Sequence, residues 1–151
     1  DDKCKIAKSL GATHVINYRT EDWVKRVKEL TDGKGVHVVY DGVGKDTFLG
    51  SLDCLRPRGM MVTFGNASGP APDIQPLLLS QKGSLFLTRP TLFHYITTRA
   101  DLELSAQALF DVVTRGVVKI QIGHRYPLQE TAQAHRDLQA RKTTGATILI
   151  P

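Results

Sequence analysis

Apolar positions along the chain switch repeatedly between a helical period and short continuous runs. Ile6, Ala7 and Leu10 fall at helical spacing, and Gly11 then supplies a helix stop. Residues 14–18, His-Val-Ile-Asn-Tyr, predict a short strand. Thr20 is placed to cap a second helix, with Glu21 and Asp22 favourable at its positive end and Trp23, Val27 and Leu30 along one face. Residues 36–40 form a nearly continuous apolar run, the pattern of a strand buried on both faces.

After the turn at Asp41-Gly42-Val43-Gly44, Phe48, Leu49, Leu52 and Leu55 mark a third helix, ended by Pro57-Arg58-Gly59. Residues 60–64 predict the next strand, closed by Gly65-Asn66, and residues 67–76 are turn-formers that read as a surface loop. A short helix over 74–80 and a strand over 84–88 follow, and Pro90 breaks the chain. Thr98 and Asp101 match a capping box ahead of a long helix carrying Leu102, Ala106, Leu109 and Val113. A loop through Tyr126-Pro127-Leu128 leads to a last helix over about 130–141 and a strand over 148–150. Alternating strands and helices predict an α/β domain on a mostly parallel sheet. No strand precedes the first helix, and no glycine-rich phosphate loop follows one. The expectation is the back part of a doubly wound, Rossmann-type nucleotide-binding domain, lacking its first strands and its phosphate loop.

Composition narrows the function only slightly. At 151 residues, 41% hydrophobic and 23% charged, the chain has the size and balance of one ordinary domain. No apolar run approaches the roughly 20 residues that span a bilayer, and no signal-peptide core is present. The net charge of +5 suits an anionic ligand, but the basic residues are spread out rather than clustered with aromatics, which disfavours nucleic acid. Cys4 and Cys54 lie far apart, and the five histidines show no metal-ligand spacing. Reduced thiols, no metal site and a cytoplasmic location are expected.

A scan for G-x-G-x-x-G finds only Gly42-Val43-Gly44-Lys45-Asp46-Thr47, without the third glycine. It follows a predicted buried strand and opens a helix. Three readings stand: a primary phosphate loop, a later strand-to-helix turn against which an adenosine half lies, or a plain tight turn. Asp41, at the carboxyl end of the strand, reads as a structural cap on that turn.

Several segments together resemble one family. They are Lys3 with Ala7-Lys8-Ser9-Leu10-Gly11-Ala12, His14-Val15-Ile16-Asn17-Tyr18-Arg19, Val38-Val39-Tyr40-Asp41-Gly42-Val43-Gly44 and Ser51-Leu52-Asp53-Cys54-Leu55. Val62-Thr63-Phe64-Gly65-Asn66, Gln81-Lys82-Gly83-Ser84-Leu85, Thr88-Arg89-Pro90, Tyr95-Ile96-Thr97-Thr98-Arg99, Arg141 and Leu149-Ile150-Pro151 continue the match. The chain resembles the NADPH-dependent quinone oxidoreductases, the zinc-free, zeta-crystallin-like branch of the medium-chain dehydrogenase/reductase superfamily, over nearly its whole length.

That resemblance implies a partial NADPH-binding domain over 1–151, whose segment 128–151 returns toward a substrate domain. It implies that Lys3 and Arg141 meet the extra phosphate of NADPH, that Tyr18 packs at the adenosine end, and that Gly42, Val43 and Gly44 run past the adenosine half. Phe64, Gly65 and Asn66 would lie beside the nicotinamide. The implied activity is hydride transfer from NADPH to a quinone-like acceptor, with no catalytic acid or base in this chain and no metal. Two alternatives are a related zinc-free enone or enoyl reductase, and a non-catalytic nucleotide- or RNA-binding or structural module. A homodimer through residues 84–88 is also implied, as are weak NADPH binding and no turnover by this chain alone.

Overall fold

The computed structural model describes residues 2–151. The chain divides into two compact units, the first running to His94 and the second from Tyr95 to Pro151. The parallel α/β architecture expected from the alternation is present in both.

In the first unit, β1 (Val36–Asp41), β2 (Leu55–Thr63) and β3 (Phe86–Thr88) form a parallel sheet in the order β1-β2-β3. The register pairs Val39 with Met61 and Asp41 with Thr63, and then Met61 with Leu87. The unit also contains helices α1 (Asp2–Ser9), α2 (Trp23–Leu30), α3 (Phe48–Asp53) and α4 (Leu77–Gln81). The core is Phe48, Leu52, Leu55, Met61 and Leu85, with Val36, Val39, Ile74, Leu78 and Leu79 packed against it. Met61, at the centre of the middle strand, is fully buried. An ion pair between Lys82 and Asp53 ties the end of α4 to the end of α3.

Only one face of this sheet is covered by the described residues. Val38, Tyr40, Met60 and Phe86 are all exposed, Tyr40 by 73%. The expectation that 36–40 would be buried on both faces is therefore corrected. The run is apolar throughout, but β1 is an edge strand of a sheet with one open face among the described residues.

Other local expectations shift for identifiable reasons. The strand expected over residues 14–18 does not form: 14–17 have no regular structure and Tyr18 opens a turn. Thr20 does not cap α2: its hydroxyl donates to the Asn17 carbonyl at 3.3 Å. Asp22 takes that role, its carboxylate accepting from the Lys25 amide at 3.0 Å. Helix α3 stops before Leu55, and Pro57-Arg58-Gly59 lies inside β2 rather than ending a helix. Arg58 is left-handed at φ 60, and the β1–β2 register slips between Val36 and Val38, so the segment is a bulge. The strand expected over 84–88 shortens to Phe86–Thr88, because Ser84 is left-handed at φ 56.

In the second unit, α5 (Arg99–Thr114) starts at the capping box expected from Thr98 and Asp101, with both reciprocal bonds made. β4 (Ile122–Pro127) and β5 (Ala146–Ile150) pair in parallel across α6 (Thr131–Gln139). This βαβ unit places the expected final helix and strand, but β4 was expected to be loop. Gly123 and Pro127 interrupt its strand pattern. The Tyr126 hydroxyl donates to Asp137 Oδ2 at 3.0 Å, fastening β4 to α6.

Candidate functional site

A buried polar cluster begins where β1 ends. Asp41 is buried, and its Oδ1 accepts from the amides of Val43 at 2.8 Å and Gly44 at 3.0 Å. The Thr47 hydroxyl lies 3.0 and 2.8 Å from the two carboxylate oxygens, and the Ser51 hydroxyl donates to Oδ2 at 2.8 Å. An aspartate is suited to this because its short side chain can bind its own backbone two and three residues on. Gly44 is left-handed at φ 87, a conformation that costs glycine nothing. Burial pushes the Asp41 carboxyl up, but the Gly44 amide, the Thr47 and Ser51 hydroxyls and the Val43 amide outweigh it. The net effect holds it below the ordinary value of 3.8.

The turn after β2 locks onto the turn after β1. The amides of Phe64 and Gly65 donate to the Asp41 carbonyl at 2.9 and 3.4 Å, and the Ser68 amide to the Val43 carbonyl at 2.8 Å. Gly65 lies so close to Gly42 that a Cβ on it would run into the Gly42 carbonyl oxygen. The Phe64 ring covers Gly42, where a Cβ would come within 3.0 Å of it. Phe64 is nevertheless 55% exposed.

Beside this double turn lies a cleft of about 260 Å³ at the carboxyl end of β1. Ile16, Tyr18, Trp23, Tyr40, Gly42 and Val43 line it together with Thr47 and Ser51. The carboxyl ends of strands are where ligands gather in open α/β sheets. The lining is mainly apolar, and Tyr18 is half-exposed there, a surface suited to a flat heteroaromatic ring.

The structure thus brings Tyr18, Gly42 and Val43 together in the cleft, with Gly44, Phe64 and Gly65 in the interlocked turns and Asn66 exposed immediately after them. Lys3 is not among the residues that line the cleft. Lys3 is exposed on α1, a helix with no buried residue. Arg141 belongs to the second unit. It has φ 57 in the turn that closes α6, with its amide on the Leu138 carbonyl and that of Lys142 on Asp137. This is a Schellman ending, whose left-handed position favours glycine, so the arginine is there at a backbone cost.

The glycine turn does not work as a primary phosphate loop. The two amides that would face a pyrophosphate, Val43 and Gly44, already bind the Asp41 carboxylate. A second anion there would meet like charge. Thr47, Ser51 and Trp23 escaped the sequence reading of the site. The signal was a Thr and a Ser four residues apart on the helix after an Asp-Gly turn.

A family described as zinc-binding dehydrogenase matches residues 10–149. A quinone oxidoreductase of Pseudomonas aeruginosa is 51% identical over 150 residues, which are 99% of this chain and 46% of that protein. A 2-haloacrylate reductase of a Burkholderia species is 46% identical over 152 residues, covering 100% of this chain and 46% of that protein. The crystal structure of Escherichia coli quinone oxidoreductase complexed with NADPH superposes with a TM-score of 0.95 at 49% identity. That match covers 99% of this chain and 47% of that one. The chain spans about half the length of the curated relatives it matches.

The residues do not fit the zinc ion in that family's description. Among the described residues no three His, Cys, Asp or Glu side chains come together to hold a metal. Cys54 is buried, and burial pushes its thiol up to about 11.

Replacing Asp41 tests the cluster. Asp41→Asn removes the charge and replaces one accepting oxygen with an NH2 donor facing the Thr47 and Ser51 hydroxyls, and should cost about 2–3 kcal/mol at neutral pH. The carboxyl titrates lower in the folded than in the unfolded chain, so its contribution is complete above 3.8 and is lost as pH falls through the lower, folded-state value. Urea unfolding followed against pH should show that acid loss in the unmodified chain and a shallower loss in Asp41→Asn. Equal slopes would remove Asp41 from this role.

Proposed function

The chain belongs to the zinc-binding dehydrogenase family, and from that premise we propose that it is the cofactor-binding part of an NADPH-dependent quinone oxidoreductase. The observation that carries this reading is the apolar cleft at the end of β1, walled by Tyr18 and floored by a turn whose amides are already committed. Such a surface accepts an uncharged adenosine half and leaves the pyrophosphate to groups outside the cleft. Tyr18 stacks on the purine, and the lack of a side chain at Gly42 leaves room for the Phe64 ring beside it. Phe64 shields the nicotinamide end from water, and Asn66 supplies an amide for orientation. Lys3 and Arg141 pair with the additional phosphate, where an acidic residue would repel it.

When bound, NADPH supplies the hydride and carries the chemistry. The chain's own residues orient and desolvate; none is assigned as a general acid or base. The acceptor is a quinone-like small molecule, taken up in a longer parent protein whose further chain covers the open face at Val38, Tyr40, Met60 and Phe86. A second reading, reduction of an activated alkene, is favoured by the likeness to the 2-haloacrylate reductase and differs in the acceptor pocket. We place the protein in the cytoplasm; no helix among the described residues is long and apolar enough to cross a membrane. The outer edge of β3 joins two copies into a homodimer. Leu85 is a core residue rather than part of that edge, which leaves Phe86 and Leu87 as the edge positions.

Calorimetric titration with NADPH and NADH tests the cofactor assignment. The chain should bind NADPH weakly and in preference to NADH. Lys3→Glu should remove most of that preference, about tenfold in affinity. Arg141→Gly should do likewise while raising stability by about 0.5–1 kcal/mol, since glycine relieves the left-handed backbone. Equal affinities for the two nucleotides would contradict the assignment. For the dimer, Leu87→Lys should halve the mass measured by light scattering; an unchanged dimer would exclude β3 as the interface.

A further inference from the structure

Arg89 follows β3 directly and precedes Pro90. Its Nη1 donates to the carbonyls of Thr63 at 3.1 Å and Gly65 at 3.3 Å, and lies 3.5 Å from Thr63 Oγ1. Those two carbonyls flank Phe64. On their amide side, Phe64 and Gly65 both donate to the carbonyl of Asp41. The turn that closes β2 is therefore gripped from both neighbouring strands: by a backbone carbonyl at the end of β1, and by a guanidinium at the end of β3.

We propose that Arg89 is a positioning residue, which clamps the turn at Thr63, Phe64 and Gly65 in the form that presents Phe64 and Asn66 to the cofactor. This rests on the reading that those residues lie beside the nicotinamide. The chemistry selects arginine. Two carbonyl oxygens converge on one nitrogen, so the side chain needs two N–H groups in a fixed fork and no acceptor of its own. Guanidinium supplies both in a rigid plane and keeps its charge at every working pH. Lysine offers a rotating, more strongly hydrated ammonium, and glutamine brings an oxygen that repels the carbonyls. Nε and Nη2 make no hydrogen bond to the described residues, so the clamp uses one nitrogen only.

The functional consequence is preorganisation. Gly65 is flexible in the unfolded chain and has no side chain to hold it. Without the clamp, the last turn of the site would be ordered only when ligand arrives, and that cost would be taken from binding.

The test compares the isotopically labelled chain with its Arg89→Ala and Arg89→Lys variants by nuclear magnetic resonance. In Arg89→Ala the carbonyl carbons of Thr63 and Gly65 should move upfield as they lose their donor. The Phe64 and Gly65 amides should exchange about tenfold faster while that of Met61 is unchanged. Added guanidinium ion should restore both signals where the same concentration of sodium ion does not, and Arg89→Lys should recover them only in part. In the unmodified chain NADPH should perturb the amides of Phe64, Gly65 and Asn66, and it should do so less in Arg89→Ala. Unchanged carbonyl shifts and exchange rates in a folded Arg89→Ala chain would overturn the clamp, whatever NADPH does. A clamp that responds as expected, with residues 64–66 untouched by NADPH in the unmodified chain, would instead overturn the cofactor reading on which its function rests.

Discussion

The carboxylate of Asp41 stands where β1 gives way to α3, and four donors close on it within 3.0 Å. Two are backbone amides of the turn, and two are hydroxyls from the helix that follows. A buried charge left unpaired would be prohibitive, so the turn and the helix must both adopt the positions that satisfy it. Everything at this end of the sheet inherits that geometry. The Asp41 carbonyl holds the amides after β2, Gly65 packs on Gly42, and the guanidinium of Arg89 closes the third side.

The same constraint shapes the chemistry of the site. An internal carboxylate takes the amides that an external phosphate would otherwise use, which leaves a loop resembling a phosphate cradle with its Val43 and Gly44 amides committed and a buried negative charge. The cleft beside it can therefore accept an aromatic, uncharged portion of a ligand. Under the proposed reading, anionic portions are met by other side chains, Lys3 and Arg141 among those proposed. Arg141 holds a left-handed position at the end of α6 where glycine is favoured, as expected where the side chain matters more than the local backbone.

The alternation of apolar runs and helical spacing is enough to read the parallel α/β architecture and the positions of α3, α5 and α6. The capping box at Thr98 and Asp101 was legible because it depends on residues three apart. What failed depended on distant partners. Residues 14–18 carry a strand's composition, but pairing decides whether a strand forms, and composition is silent on pairing. Strand β4 was hidden by Gly123 and Pro127, tolerated because β5 fixes its register. Asp22 displaced Thr20 as a cap because Thr20 was engaged with Asn17. At the site, Gly42, Val43 and Tyr18 were accessible through family resemblance. The grip of Arg89 on Thr63 and Gly65 was not, since it joins residues 24 and 26 positions apart.

The most direct test of this account is to locate the bound nucleotide by intermolecular nuclear Overhauser effects between NADPH and the labelled chain. The purine protons should contact the Tyr18 ring and Gly42, while the amide resonances of Val43 and Gly44 keep the shifts set by Asp41. Purine contacts elsewhere, or Val43 and Gly44 amides displaced onto the pyrophosphate, would contradict it.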